Sequence, residues 1–477
     1  MSSAGPTSSR PRPGWRWPHG LYLSAVLVGL FCVRVLGASW STHFPPQFPD
    51  ALNPGRTDTY YAVSLLTPFR PSFYWAPRPV VYPAFIWLFG RSSQLIVLGQ
   101  TLVYCAAVGV LCATAWSVLK TRLVAVIAVA GIVLISIEAR FALWTTQILS
   151  ESLGISLGLL VIAAWWRVSA GPTKRRVTWA WVWTIAWLLE RDAHTVPVAV
   201  VVVPVAVGVA VLARRHLSED VRRQLIAGAL VALFACGYVY VAQSHSGRNR
   251  YPVENNFGLR ILPNPSLERW FEQGGMPVSN ALAGRVGKSA FDDNRLFDTD
   301  PSLAGFRSWA EGPGSRRLLA SFVFRAPDWY QMLGKQWKPL LSDDQSAYDG
   351  YGVRNRLPRR YPLQLGGPGT PAGFGAWLVV AVGTVALAGA FSRRRGQVIF
   401  AAAGLLLVLL DIYVSFVGDA LEVSRHLVGP LNRLSVVLVI SIAIGADLLW
   451  QARRSVGAGA ATAGSADEQL TLGITDA

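Results

Sequence analysis

Residues 150–195 read SESLGISLGLLVIAAWWRVSAGPTKRRVTWAWVWTIAWLLERDAHT. A polar start at Ser150, Glu151 and Ser152 leads into an apolar block. Arg167, Lys174, Arg175 and Arg176 fill the turn that follows. A second, Trp-rich block returns to Glu190, Arg191, Asp192 and His194. Apolar blocks separated by a basic turn on one side and acidic turns on the other are the pattern of a chain threaded back and forth through a bilayer. Basic residues in short connections stay on the inner side, and lipid tolerates only backbone whose hydrogen bonds close within the segment.

The same alternation extends in both directions. Ten apolar stretches can be drawn, at 20–40, 93–117, 121–137, 152–168, 177–190, 196–213, 225–242, 374–391, 397–417 and 433–450. With the N-terminus inside, the inner connections collect Lys120 and Arg122, the 167–176 cluster, Arg214, Arg215, Arg222 and Arg223, and Arg393, Arg394 and Arg395. Arg453 and Arg454 follow on the same side. The short outer connections near 138–151, 190–195 and 418–432 carry one Arg each. The stretch 177–190 is short for a crossing, which takes about 20 helical residues. Segment 79–90 is shorter still and reads as an interfacial or re-entrant helix.

Bulk composition agrees. Of 477 residues, 52% are hydrophobic and only 15% charged, against about 25% charged in a typical soluble domain. Mean hydropathy is +0.36. Trp40, Trp179, Trp181 and Trp450 lie near block ends, where an aromatic belt belongs. The net charge of +17 would suggest nucleic acid in a soluble chain. Here much of it lies in inner connections, and no nucleic-acid motif accompanies it. Cys32, Cys105, Cys112 and Cys236 all fall in apolar blocks, so no disulfide framework or zinc-type pair is expected. Neither a Walker A sequence nor an HExxH motif is present. Arg10, Arg12 and Arg16 precede the first block. Gly37-Ala38-Ser39 resembles a cleavage site, but the block is long for a signal peptide and reads as an uncleaved helix.

The predicted architecture is an all-α integral membrane protein with about ten transmembrane helices. A cytoplasmic tail covers 1–19. An N-terminal transmembrane module covers 20–242 and includes a first outer loop at 41–92. An extracytoplasmic domain of helices and loops covers 243–373, with a helix pair broken before Pro327 and lying on the membrane surface. A C-terminal module covers 374–450, and 451–477 is expected to be a disordered cytoplasmic tail. The expected location is the plasma (inner) membrane of a bacterium, with both termini cytoplasmic.

Four polar constellations fall on the outer side. The first outer loop carries PGRTDTYYAVSLL, with Asp58, and RPSFYWAPRPVVYPAFIWLFG, with Arg78. TTQILSESLG carries Glu151, LLERDAHTVPV carries Glu190, Arg191, Asp192 and His194, and GDALEVSRHLVGPLNR carries Asp419, Glu422, Arg425 and His426. Charged groups beside a bilayer are paired, hydrated or functional. Four groups from distant connections on one face suggest a shared polar cavity. A carboxylate there can take a proton from a hydroxyl, while Arg and His donors match phosphate oxygens. Structural readings stand beside these. Asp58 can cap a helix, Arg191 and Asp192 can form a turn ion pair, and Glu422 and His426 can pair along a helix. Asp411 and Arg34 lie inside apolar stretches, where an ionisable group is a functional candidate by default, and a structural Arg34–Asp411 pair accounts for them equally well.

The order of these elements resembles the GT-C fold glycosyltransferases, in particular bacterial relatives that use polyprenyl-phosphate sugars. The resemblance rests on an acidic first outer loop with nearby Tyr, an Arg-Pro…Tyr-Pro helix, Ser-Glu-Ser-Leu, Arg-Asp and a late Glu-x-x-Arg-His. It implies an inverting transfer on the extracytoplasmic face, from a polyprenyl-phosphate-linked sugar to a glycan, lipid or protein acceptor. Asp58 matches the position of the catalytic base, although it lacks the paired acid common in the class, and Asp50 is the substitute. Arg78, Arg191, His194, Arg425 and His426 are assigned to the donor phosphate, with Glu151, Asp192 and Glu422 as supporting acids. No cofactor and no metal site are expected, with a divalent cation on Asp58 as the open alternative. The competing functions are a transporter or flippase of lipid-linked saccharide and a non-catalytic envelope scaffold.

Overall fold

The computed structural model describes residues 19–41, 59–246, 250–293, 296–342, 371–391, 394–421 and 423–472. Every regular element among them is helical. The principal helices are α1 (His19–Ser41), α2 (Val81–Leu88), α3 (Ser93–Val118), α4 (Arg122–Ser136), α5 (Ser150–Ala170), α6 (Lys174–Leu188), α7 (Val203–Leu212) and α8 (Glu219–His245). After an inserted domain, α9 (Ser315–Phe324) and α10 (Ala326–Ser342) precede α11 (Pro371–Phe391), α12 (Arg395–Gly418) and α13 (Val423–Leu472).

Each of the ten apolar stretches falls on a helical segment. Seven of these segments are long and apolar enough to cross a membrane, including 192–212, which ends in α7. Helix α1 holds a shorter apolar stretch, Leu21–Gly37, and α4 is itself short at 15 residues. Helix α6 ends at Leu188, earlier than expected, so Glu190 lies in the connection to the next span. Helix α13 continues to Leu472, where composition predicts a disordered tail.

Helix α5 is the centre of the bundle. Its residues 150–163 are buried on every face, as expected for a helix that is apolar all round. It packs against α3, α6, α12 and α13. Outer helices turn large apolar side chains away from the protein, including Leu230, Phe234 and Tyr240 of α8 and Val379, Leu387 and Phe391 of α11. Those faces suit lipid tails, where apolar exposure carries no hydration cost.

Buried polar side chains fix the irregular connections. Gln100 of α3 donates to the carbonyls of Thr145 (2.9 Å) and Gln147 (2.8 Å) and accepts from the Tyr82 hydroxyl at 2.6 Å. This ties down the segment that delivers Glu151 to the start of α5. At the opposite end of the bundle, buried Asp447 of α13 accepts from the backbone N–H groups of Lys120 and Thr121. It thereby satisfies donors ahead of α4 that its own helix cannot.

The inserted domain is more helical than its Gly, Pro and Asn content suggests, with short helices at Arg250–Asn256, Pro265–Glu272 and Ala304–Trp309. Phe257, Phe271, Phe306 and Trp309 form its aromatic core, and the Phe257 ring meets the other three edge-on at 4.9–5.5 Å. The domain also caps α12. Asn256 Nδ2 donates to the carbonyls of Val417 (3.0 Å) and Gly418 (3.3 Å), and Arg260 Nη1 donates to that of Phe416. These are the carbonyls a helix C-terminus leaves unpaired, and a cation there also complements the helix dipole. Helices α9 and α10 are the expected pair, broken at Arg325 ahead of Pro327.

Candidate functional site

Three connections meet at one end of the bundle. The first, at the start of α5, presents Glu151, whose side chain is almost wholly buried. The second, residues 189–195, turns through a short 3-10 segment at Asp192–His194. The following backbone is irregular, with a wide turn at Val198–Val202. Pro197 and Pro204 each lack an N–H there, which prevents a regular ladder. The third connection runs from Asp419 into α13 and presents Arg425, His426 and Arg433.

Glu151 Oε1 accepts from Arg425 Nε at 2.8 Å and lies 3.6 Å from Arg191 Nη1. One carboxylate thus faces two guanidiniums from distant connections, and the group of three carries a net positive charge. The other oxygen, Glu151 Oε2, is buried without a hydrogen-bond partner. Behind this group lies a second, deeper layer. Arg433 donates through Nε (2.9 Å) and Nη2 (2.5 Å) to Asp411 Oδ2, and both side chains are fully buried. The Arg433 guanidinium also sits 4.9 Å over the Trp187 ring. His194 stacks on the same indole at 4.2 Å, and its Nδ1 lies 2.9 Å from the Trp187 carbonyl.

Glu190 completes the constellation. It is fully buried, and its Oε2 is 3.5 Å from His194 Nδ1. Neither carboxylate oxygen has a hydrogen-bond partner. Burial pushes this carboxyl well above the usual carboxylate range, because desolvation penalises the charged form. Two glycines on one face of α5 make room for the deep layer. A Cβ on Gly154 would lie 2.6 Å from Glu190 Oε2, and one on Gly158 would lie 2.9 Å from Arg433 Cδ. At i and i+4 the two share a helix face.

These residues line a narrow, largely filled cleft with room for about one water molecule. Its walls include Glu151, Glu190, Arg191, His194, His426 and Arg433. Chemically, the cleft wall offers the guanidiniums of Arg191 and Arg433 and a buried carboxyl, Glu190, that has no hydrogen-bond partner.

Of the residues expected from sequence, Glu151, Arg191, His194 and His426 line the cleft, and Arg425 joins them through its bond to Glu151 without lining it. Arg78 does not line the cleft. It lies 4.5 Å over the Tyr60 ring, and the Tyr60 hydroxyl donates to Ser150 Oγ at 2.9 Å, one residue before Glu151. Asp192 is also off the cleft wall, and its Oδ1 accepts from the Ala193 N–H at 2.9 Å. Arg191 pairs with Glu151, which replaces the alternative reading of a turn pair with Asp192. Asp411 pairs with Arg433 rather than with Arg34. Asp50, Asp58 and Glu422 lie outside the described residues.

Sequence reasoning gave no role to Glu190 or Arg433, although both stand in the quoted constellations. The available signal was the placement of Arg433 at the edge of an apolar stretch, where an ionisable group calls for a named partner. Asn255 was missed as well. From the inserted domain it donates to Asp419 Oδ1 at 2.9 Å and accepts from the Ala290 N–H at 2.8 Å. It thereby steadies the connection that carries Arg425. Burial raises the Asp419 carboxyl above its ordinary range. Among the described residues, no group of three or more His, Cys, Asp or Glu is placed to hold a metal ion.

No protein-family model and no curated protein matches the sequence. Among solved structures, the chain is similar to the archaeal oligosaccharyltransferase AglB from Archaeoglobus fulgidus, in complex with an inhibitory peptide and a dolichol-phosphate. The TM-score is 0.41 at 11% identity, over 89% of this chain and 50% of that one. The chain therefore spans about half the length of that structure.

Proposed function

We propose that the protein is a membrane glycosyltransferase of the GT-C type. It would move a sugar from a polyprenyl-phosphate donor to an envelope acceptor on the extracytoplasmic face. The observation that carries this reading is the convergence of Arg191 and Arg425 on the single carboxylate of Glu151. One acid facing two cations leaves positive charge at the cleft mouth for an anion to complete. A sugar joined to lipid through phosphate carries one negative charge and gains a second as the bond to C1 breaks. Donors preset for that charge favour the transition state over the ground state.

In this reading Asp58 takes the proton of the acceptor hydroxyl. The hydroxyl oxygen attacks the anomeric carbon, the bond from C1 to the phosphate oxygen breaks, and the configuration inverts. The departing polyprenyl phosphate is held by Arg191 and Arg425. The Arg433–Asp411 pair supports the floor without touching substrate, and His194 and His426 border the phosphate.

The test is transfer by purified protein in vesicles, with a panel of labelled polyprenyl-phosphate pentoses and hexoses as donors and an envelope extract as acceptor. Asp58→Asn is expected to fold and insert normally and to abolish transfer. Activity of that variant at the wild-type level removes Asp58 as the base. Absence of transfer and of polyprenyl-phosphate release by the wild type across the panel contradicts the reading as a whole.

A further inference from the structure

The helix pair α9–α10 has two unlike faces. One is buried, through Leu318, Ser321, Trp329 and Leu333. Trp329 Nε1 donates to Ser321 Oγ at 3.2 Å, and the Trp329 ring meets Phe322 edge-on at 5.2 Å. The other face exposes large apolar groups: Leu319 at 58%, Val323 at 72%, Phe324 at 76% and Tyr330 at 57%. In water this exposure would be an aggregation liability, because contiguous apolar patches on soluble surfaces normally mark contact with something.

The depth of the pair identifies what covers it. Tyr413 of α12 donates through its hydroxyl to the Phe322 carbonyl at 2.7 Å, and its ring stacks on Tyr330 at 4.7 Å. Tyr413 lies five residues before the end of α12 at Gly418, which is about 7 Å down the helix from that end. At the far end of the pair, Trp337 packs at 5.0 Å on Phe374, within the first turn of α11. The pair therefore lies against two apolar helices below the level at which α12 ends. Helix α11, against which Trp337 packs, also exposes large apolar side chains, including Val379, Leu387 and Phe391. Arg316 and Lys335 are also exposed, and their charge suits anionic lipid headgroups.

We propose that α9 and α10 form a hairpin embedded in the outer leaflet of the membrane, with Leu319, Val323, Phe324 and Tyr330 among the acyl chains and Arg316 and Lys335 at the headgroups. The inserted domain is then held to the bilayer at two places: by its caps on α12 and by this lipid-facing hairpin. The inference rests on the membrane placement of α11 and α12 and not on sugar transfer.

The test uses full-length protein in vesicles of phosphatidylethanolamine and phosphatidylglycerol. A nitroxide is attached at Leu319→Cys, Val323→Cys or Phe324→Cys in a version lacking Cys32, Cys105, Cys112 and Cys236, with Glu272→Cys as the aqueous control. Oxygen should relax the three hairpin labels several-fold more strongly than a water-soluble nickel chelate, with the reverse at Glu272→Cys. A nickel response at the hairpin equal to the control overturns the proposal. So do hairpin labels reached by neither reagent, since another protein surface would then cover the face. Wild-type protein in vesicles doped with a photoactivatable fatty acid provides a second measurement that needs no substitution. Lipid adducts should map to residues 319–330, and adducts confined to the spanning helices overturn the proposal.

Discussion

The Nε of Arg425 meets Oε1 of Glu151 at 2.8 Å although 274 residues of chain separate them. The pairing joins the first half of the bundle to the last helix at the mouth of the cleft. Arg191 approaches the same oxygen at 3.6 Å from a third connection. In Glu151→Gln the two guanidiniums lose their shared anion and repel each other. The variant should lower the unfolding temperature in detergent without weakening polyprenyl-phosphate binding, because an anion that competes with the phosphate for both guanidiniums is gone. Arg425→Gln should weaken binding with a smaller effect on unfolding, because its side chain is partly open to solvent. Equal losses of stability in the two variants would assign the pairing to folding alone.

Arg433 and Asp411 form a buried pair, and removing one partner of such a pair typically costs about 3–5 kcal/mol because the other charge remains. Asp411→Asn and Arg433→Met should each depress the unfolding temperature strongly. The double variant Asp411→Leu with Arg433→Met should lose less than the sum, since no orphan charge is left. A thermal double-mutant cycle in detergent measures the difference. Strict additivity would show that the pair is not coupled.

Gly158 faces Arg433 so closely that an added Cβ would sit 2.9 Å from the arginine Cδ. Gly158→Val should push the guanidinium off Asp411 and reproduce much of the destabilisation of Arg433→Met. Gly208, with open space beside it, is the control. Gly208→Ala should leave the protein at least as stable as wild type, since Ala is favoured over Gly within a helix by about 0.5–1 kcal/mol.

Much of this arrangement is legible in the sequence, and the reasons are physical. A lipid solvent demands long apolar helices, and all ten predicted stretches fall on helical segments. The polar clusters at Glu151, Arg191 and Arg425 stood out because charge is costly at the edge of a bilayer. Which residue pairs with which was not legible. By depth, Arg34 was the partner that sequence offered to Asp411, whereas packing pairs it with Arg433. Glu190 looked like one more turn residue until burial left both of its oxygens without donors. Composition also misjudged the inserted domain. Its Gly and Pro residues punctuate short helices, which the aromatic core around Phe257 stabilises against weak local propensity.

Glu254 of the inserted domain supplies a pH test away from the cleft. Burial first, and the nearby Asp298 second, raise its carboxyl to about 8. The folded protein therefore holds a proton that the unfolded chain, with an ordinary carboxyl near pH 4.3, gives up. Stability from this group is fully present below about pH 4 and declines as the pH rises through 8, since the folded state binds the extra proton across that window. Unfolding temperature should fall between pH 5 and pH 9, and Glu254→Gln should flatten that slope. The comparison of wild type with Glu254→Gln isolates this group from others that titrate in the same range.

The direct test of the cleft is equilibrium binding of a long-chain polyprenyl phosphate to the purified protein in nanodiscs, with the corresponding uncharged polyprenol as control. The wild type should bind the phosphate and discriminate against the polyprenol. Arg191→Gln combined with Arg425→Gln should weaken phosphate binding by about a hundredfold, roughly tenfold for each charge-assisted hydrogen bond removed. Equal affinity for the two lipids, or phosphate binding unchanged in the double variant, would contradict the central claim that these guanidiniums form a phosphate site.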